Sequence, residues 1–199
     1  AKKSREELRK KHHLNGKKVL LFVGRLSPKK GADVLVQALQ ILAKKGHNIA
    51  LVLVGSKWYG QNKITPYVAY VHALAKRSAA PIITTDFVHP SKIPHWYWVG
   101  DIFVCPSLWQ EPLARVLYEA MATGLPIITT KRGGNPEVIS DKGLLVESAE
   151  DPASLSKSIE TLLNDEALCR RLGENGRAYA EKNSGWSRVA HEILEVWGR

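Results

Sequence analysis

Six short runs of the chain are apolar at nearly every position, over residues 18–24, 49–55, 81–88, 101–105, 125–130 and 143–146. A strand with one wet face alternates apolar and polar residues, whereas a strand covered on both faces reads as a continuous run. These runs therefore predict a parallel sheet with helices on each side. Between them the apolar positions change to helical spacing. Val34, Leu35, Ala38, Leu39 and Leu42 share one face of a helix predicted over 32–45, and similar patterns occupy 65–76 and 112–122. Strand and helix alternate, which is the pattern of a doubly wound, Rossmann-like α/β sheet of about six strands. After the last run come only helical patterns, over 152–163, 165–181 and 186–197. No fixed-period repeat interrupts this order, and no shift in composition sets off a second domain.

Composition narrows the class. At 44% hydrophobic and 24% charged residues the chain is neither collagen-like nor disordered. No apolar run approaches the roughly 20 residues of a helical membrane span, so no transmembrane segment is expected. The basic start is not followed by the apolar core and small-residue site of a signal peptide. Cys105 and Cys169 show no metal or redox spacing, which fits a reducing, cytoplasmic setting.

The net charge of +10 could point to nucleic acid, but its distribution argues against that. Residues 1–18 hold eight Lys or Arg against two Glu, so +6 of the charge lies in the leading segment and the body is only mildly basic. Residues 1–16 are accordingly expected to be a solvated basic helix or linker, with a ligand-binding domain over 17–199 and no nucleic-acid partner.

Ligands of doubly wound sheets sit outside the carboxyl ends of the strands, where the strand-to-helix loops lie. None of these loops carries the dinucleotide or Walker glycine pattern. The first loop, Gly-Arg-Leu-Ser-Pro-Lys-Lys-Gly over 24–31, sets Arg25 and Lys30 where two cations and a helix N-terminus can converge on an anion. A surface turn with solvated charges is the plainer alternative. Gly133 and Gly134 form a second turn whose backbone N–H groups could approach a phosphate. Two carboxylates add to this. Glu111 precedes Pro112, a residue suited to a first helical position, so Glu111 is expected at the cap and Glu119 inside the same helix. Eight helical residues at about 1.5 Å each separate them by about 12 Å. That exceeds the about 5 to 10 Å of a glycosidase acid and base, but suits the two ends of one extended ligand. An acidic cap for Glu111 and a surface ion pair for Glu119 remain the alternatives at this point.

The ordered set Gly24 to Gly31, Pro106-Ser107, Glu111-Pro-Leu-Ala-Arg-Val-Leu-Tyr-Glu119, Gly124-Leu-Pro-Ile127 and Gly133-Gly-Asn-Pro-Glu-Val138 resembles the carboxyl-terminal half of retaining glycosyltransferases of family 4, group 1, with the GT-B architecture. The resemblance runs from about Lys17 to the end. Within that family, Trp58-Tyr-Gly60, Phe87-Val-His-Pro90 and residues 111–116 are similar to spore-coat-associated glycosyltransferases.

The resemblance implies that the chain binds the donor, a nucleoside diphosphate sugar, with UDP expected. Arg25 and Lys30 would hold the diphosphate, Glu111 the transferred sugar and Glu119 the ribose. Gly24, Val88, His89, Leu113, Ala114, Arg115, Gly133 and Gly134 would complete the donor site, with Val88 and His89 beside the base and Trp109 beside the sugar. The family has glycines where this chain has Pro112, Leu113 and Ala114, which weakens the expectation of backbone contacts there. Because no D-x-D pair is present and cationic side chains can neutralise the leaving diphosphate, transfer is expected to be metal-independent and without a further cofactor. The acceptor-binding amino-terminal half is missing from this stretch, so the isolated domain is expected to bind and not to turn over. The alternatives are a non-catalytic spore-coat or structural protein that keeps the GT-B fold, and a GT-B nucleotide-sugar isomerase.

Overall fold

The computed structural model describes residues 2–56, 64–85, 87–112 and 114–198. The apolar runs form six parallel strands: β1 (Lys18–Val23), β2 (Ile49–Val54), β3 (Ile82–Thr84), β4 (Ile102–Cys105), β5 (Ile127–Thr130) and β6 (Gly143–Val146). They lie in the order β3-β2-β1-β4-β5-β6. The chain therefore builds outward from β1 to β3, crosses back to the other side of β1, and continues to β6. Between β1 and β4 lies the point at which the winding reverses, where doubly wound sheets bind their ligands.

The pleat divides each inner strand between two apolar layers. Leu20 and Phe22 of β1, Leu51 and Leu53 of β2, and Ile102 and Val104 of β4 face one layer. Val19, Leu21 and Val23, Ala50 and Val52, and Phe103 and Cys105 face the other. The first layer is closed by helices α2 (Ala32–Lys44), α3 (Pro66–Lys76) and α7 (Pro152–Asn164), through Leu35, Leu39, Val71 and Ile159 among others. The second is closed by α4 (Ile93–Tyr97), α5 (Arg115–Ala122) and α8 (Glu166–Asn183), through Tyr97, Leu117, Met121 and Ala180. Because both faces are covered, the strands read as continuous apolar runs.

Three boundaries differ from the sequence expectation. The run 81–88 yields only three strand residues, because β3 is an edge strand with β2 as its neighbour. Past it the Thr85 N–H still donates to Leu53 O at 2.9 Å, while the Thr85 hydroxyl accepts from Gly55 N at 3.2 Å. The helix expected from residue 112 begins at Arg115, with Ala114 as its N-cap and no side-chain capping bond. Glu111 is not its cap: its backbone carbonyl accepts from Gly134 N at 2.9 Å, and proline at 112 disfavours helical geometry at 111.

The leading segment is the third. It is a helix, α1 (Lys2–Lys11), but not a wholly solvated one. Arg5 donates to Trp98 O and Gly100 O and pairs with Asp101 at 2.5 Å. Arg9 donates to Val99 O and pairs with Asp101 at 3.0 Å, and Asp101 also accepts from Val19 N at 2.7 Å. Two of the basic residues are thus structural. The short α6 (Asn135–Ile139) follows the Gly133-Gly134 turn, and α9 (Trp186–Trp197) ends the chain with no buried residue. Trp186 and Trp197 on it are 87% and 85% exposed.

Candidate functional site

The last residues of β1 and β2, the segment after β3, and one face of α5 enclose a cleft of about 620 Å³ beside the winding reversal. Gly24 and Arg25 leave β1, and Gly55 and Ser56 leave β2, on its floor. The strand ends approach closely, with the Gly24 N–H donating to Val54 O at 3.0 Å, and glycine is needed at 55, where φ is +134° and a Cβ would lie 2.1 Å from Gly24 O. Phe87, Val88, Pro90, Ile93 and Tyr97 form one part of its wall, and Arg115, Val116 and Glu119 of α5 form another. The cleft is therefore mainly apolar, with Arg25, Arg115 and Glu119 as its charged groups among the described residues. Apolar walls suit a flat base, and the charged groups suit a ribose and phosphates.

Of the residues expected from sequence, Gly24, Arg25, Val88, Arg115 and Glu119 are brought together here. Glu119 sits on the second turn of α5, and its Oε2 accepts from the Tyr97 hydroxyl at 2.7 Å. Lys30 and Glu111 are not in the cleft lining. They meet each other, Lys30 Nζ to Glu111 Oε2 at 2.5 Å, and the Ser107 hydroxyl donates to the same oxygen at 3.0 Å. With side chains 18% and 12% exposed, this pair is largely withdrawn from water, so each charge depends on the other for its partner. Its two loops are strapped together: Leu108 N donates to Lys29 O at 2.9 Å, and a Cβ on Gly31 would lie 2.2 Å from Pro106 O. Lys29 Nζ lies 4.0 Å from the centre of the Trp109 ring, which is 43% exposed.

Other expectations are corrected. Gly133 N donates to the Gln110 side chain at 2.6 Å and Gly134 N to Glu111 O at 2.9 Å, so neither N–H points outward for a phosphate. The glycines are needed instead for contact, since a Cβ on Gly133 would lie 2.1 Å from Glu111 O. His89 does not line the cleft. Its Nδ1 bonds the Ser91 hydroxyl at 2.8 Å and accepts from Ser91 N at 3.3 Å, capping the single 3-10 turn Pro90–Lys92. Ala114 is buried as the N-cap of α5. Leu113 and Trp58 lie outside the described residues.

Sequence reasoning missed Tyr97 and the whole α4 wall, and gave Ser107 of the Pro106-Ser107 motif no role of its own. The signal for α4 was present in Pro90 and Pro94, both suited to helix starts, followed by apolar residues. Burial pushes the Cys105 thiol up to about 11, so it is not a thiolate nucleophile near neutral pH. Among the described residues no group of His, Cys, Asp or Glu is arranged to hold a metal ion, and no helix is long and apolar enough to cross a membrane.

Known proteins share this fold. The profile of the family described as "Glycosyl transferases group 1" matches residues 4–179, which takes in α1 as well as the sheet and leaves α9 outside. The chain is 46% identical over 98% of its length to "Spore coat protein SA" of Bacillus subtilis, covering 52% of that protein. It is 38% identical over 97% of its length to "Putative glycosyltransferase YtcC" of the same organism, covering 48% of it. Among solved structures, Anabaena Alr3699/HepE in complex with UDP-glucose superposes with a TM-score of 0.86 at 25% identity, over the whole of this chain and 53% of that one. The C-terminal domain of a glycosyl transferase group 1 family protein (LpcC) from Francisella tularensis gives a TM-score of 0.75 at 26% identity, over 92% of this chain and 93% of that one. The chain spans about half the length of the curated relatives it matches. A doubly wound sheet with a charged cleft at its winding reversal, matched from α1 to α8 by one family profile, means that this chain belongs to the glycosyl transferases group 1 family.

Proposed function

We propose that this chain is the donor-binding half of a retaining glycosyltransferase that takes a nucleoside diphosphate sugar, with UDP as the nucleotide. The observation that carries this is the cleft at the winding reversal, with Arg25 on its floor and Glu119 on its α5 wall. Glu119 holds the ribose, the apolar wall with Val88 holds the base, and Arg25 and Lys30 neutralise the diphosphate as it leaves. Lys30 is paired with Glu111 in this structure. A diphosphate competing for Lys30 would release a Glu111 oxygen to accept from a sugar hydroxyl, so arrival of the donor exchanges one internal pair for two ligand contacts. Cationic side chains do the neutralising, and no metal ion is invoked. UDP-glucose in the complex of the Anabaena protein supports the choice of nucleotide.

Since the chain spans about half of its relatives, acceptor binding is assigned to a second half outside these 199 residues. The setting assigned is the cytoplasm. A second reading, a coat component that has kept the fold without turnover, draws support from the relative named "Spore coat protein SA". Titration with UDP, GDP and ADP tests the first reading, followed by a transfer assay. The expected result is binding with UDP preferred and no transfer by the chain alone, because orientation of an acceptor is missing. A folded chain that binds none of the three would remove the donor-half reading and leave the second.

The two carboxylates separate in the same titration. Glu119→Ala is expected to weaken UDP and UDP-sugar alike, by about 2 kcal/mol. Glu111→Ala should leave UDP affinity equal or improved, because Lys30 is released, while the extra affinity of the sugar nucleotide disappears. Equal loss of UDP by both folded variants would contradict the assignment.

A further inference from the structure

We propose that Tyr97 is a positioning residue for the nucleotide, holding Glu119 in the one orientation that receives the ribose. The proposal rests on the ribose assignment above and extends it to a residue outside the two motif carboxylates. Glu119 lies on a cleft wall, and a glutamate there has three side-chain torsions to lose on binding. Tyr97 removes part of that freedom in advance. Its ring is 2% exposed, packs on Phe103 at 5.7 Å between ring centres, and is carried by α4. The carbonyls of the turn that follows α4 are gripped by Arg5 and Arg9, so the ring stands on a fixed support. From there its hydroxyl donates to Glu119 Oε2 at 2.7 Å and reaches Val116 O, one helical turn earlier, at 3.5 Å. Oε1 of Glu119 has no partner among the described residues. One oxygen is thus anchored to the protein, on a residue that lines the cleft. An acceptor held in place before the ligand arrives costs less to order, which is the gain from preorganisation.

The test is a cycle of Tyr97→Phe, Glu119→Ala and the double variant, titrated with UDP and with 2′,3′-dideoxy-UDP, which lacks the hydroxyls that Glu119 would receive. Tyr97→Phe keeps the buried ring and removes only the donor. It is expected to weaken UDP about five-fold, to leave 2′,3′-dideoxy-UDP unchanged, and to add nothing further in the Glu119→Ala background. The melting temperature of each unliganded variant is measured beside the titration. A Tyr97→Phe loss of the same size for both nucleotides would mean a packing effect and overturn the proposal, as would unchanged UDP affinity while Glu119→Ala is impaired. Unchanged UDP affinity in Glu119→Ala would instead bring down the ribose assignment itself, and the proposal with it.

Discussion

Replacing Gly55 by alanine is expected to destabilise the fold by about 4 kcal/mol and to abolish nucleotide binding. Two costs combine at this position. Gly55 has φ +134°, a conformation that L side chains rarely adopt. A Cβ there would also lie 2.1 Å from Gly24 O, so the ends of β1 and β2 would have to part. Parting them breaks the bond from Gly24 N to Val54 O and moves the cleft floor that carries Arg25. Gly46 supplies the control, with φ +87° and open space for 4 Å around the point a Cβ would occupy. Gly46→Ala should cost only about 1 kcal/mol. Urea unfolding of the two variants checks the contrast, and equal costs would mean that the close approach of the strand ends contributes nothing.

Asp101→Ala is expected to cost about 3 kcal/mol. One carboxylate accepts from the Val19 N–H and pairs with both Arg5 and Arg9, so its removal strips a strand of a hydrogen bond and leaves two guanidinium groups without their counter-charge. The Asp101 side chain is 20% exposed, which sets the effect below that of a fully buried pair. Asp101→Asn keeps an acceptor for Val19 and should lose about half as much. Hydrogen exchange over residues 2–11 gives an independent readout, because α1 should open before the sheet does. Unchanged protection of α1 in Asp101→Ala would show that the helix is held by other contacts.

The sheet was legible because its physics is local. Burial on both faces makes each strand apolar along its length, and that shows in any single run such as 49–54. The buried face of α2 likewise follows from spacing within that one helix. What depended on distant partners was hidden. Arg5, Arg9 and Asp101 are separated by about ninety residues, so the basic start read as a solvated face. Glu111 read as a cap because Pro112 was visible and the Gly134 N–H that claims its carbonyl was not. Likewise, the resemblance named Lys30 and Glu111 as ligand groups, while only the fold shows them paired to each other. Tyr97 carries no motif at all, and its bond to Glu119 joins two helices, α4 and α5, twenty-two residues apart in the chain.

The order of the sheet also bears on how the chain comes to be folded during synthesis. Leu20 of β1 pairs with Leu51 on one side and Ile102 on the other. As the chain emerges, β1 and β2 can zip together early, yet the far edge of β1 must wait for residues 102–105. Through that interval a strand that will lie between two neighbours is instead an open edge, apolar on both faces and able to join a neighbouring chain. Arg5, Arg9 and the Val19 N–H wait equally for Asp101, so α1 is a loose, positively charged helix until then. The six basic residues of α1, set against only Glu6 and Glu7 before Asp101 appears, keep nascent copies apart during that interval.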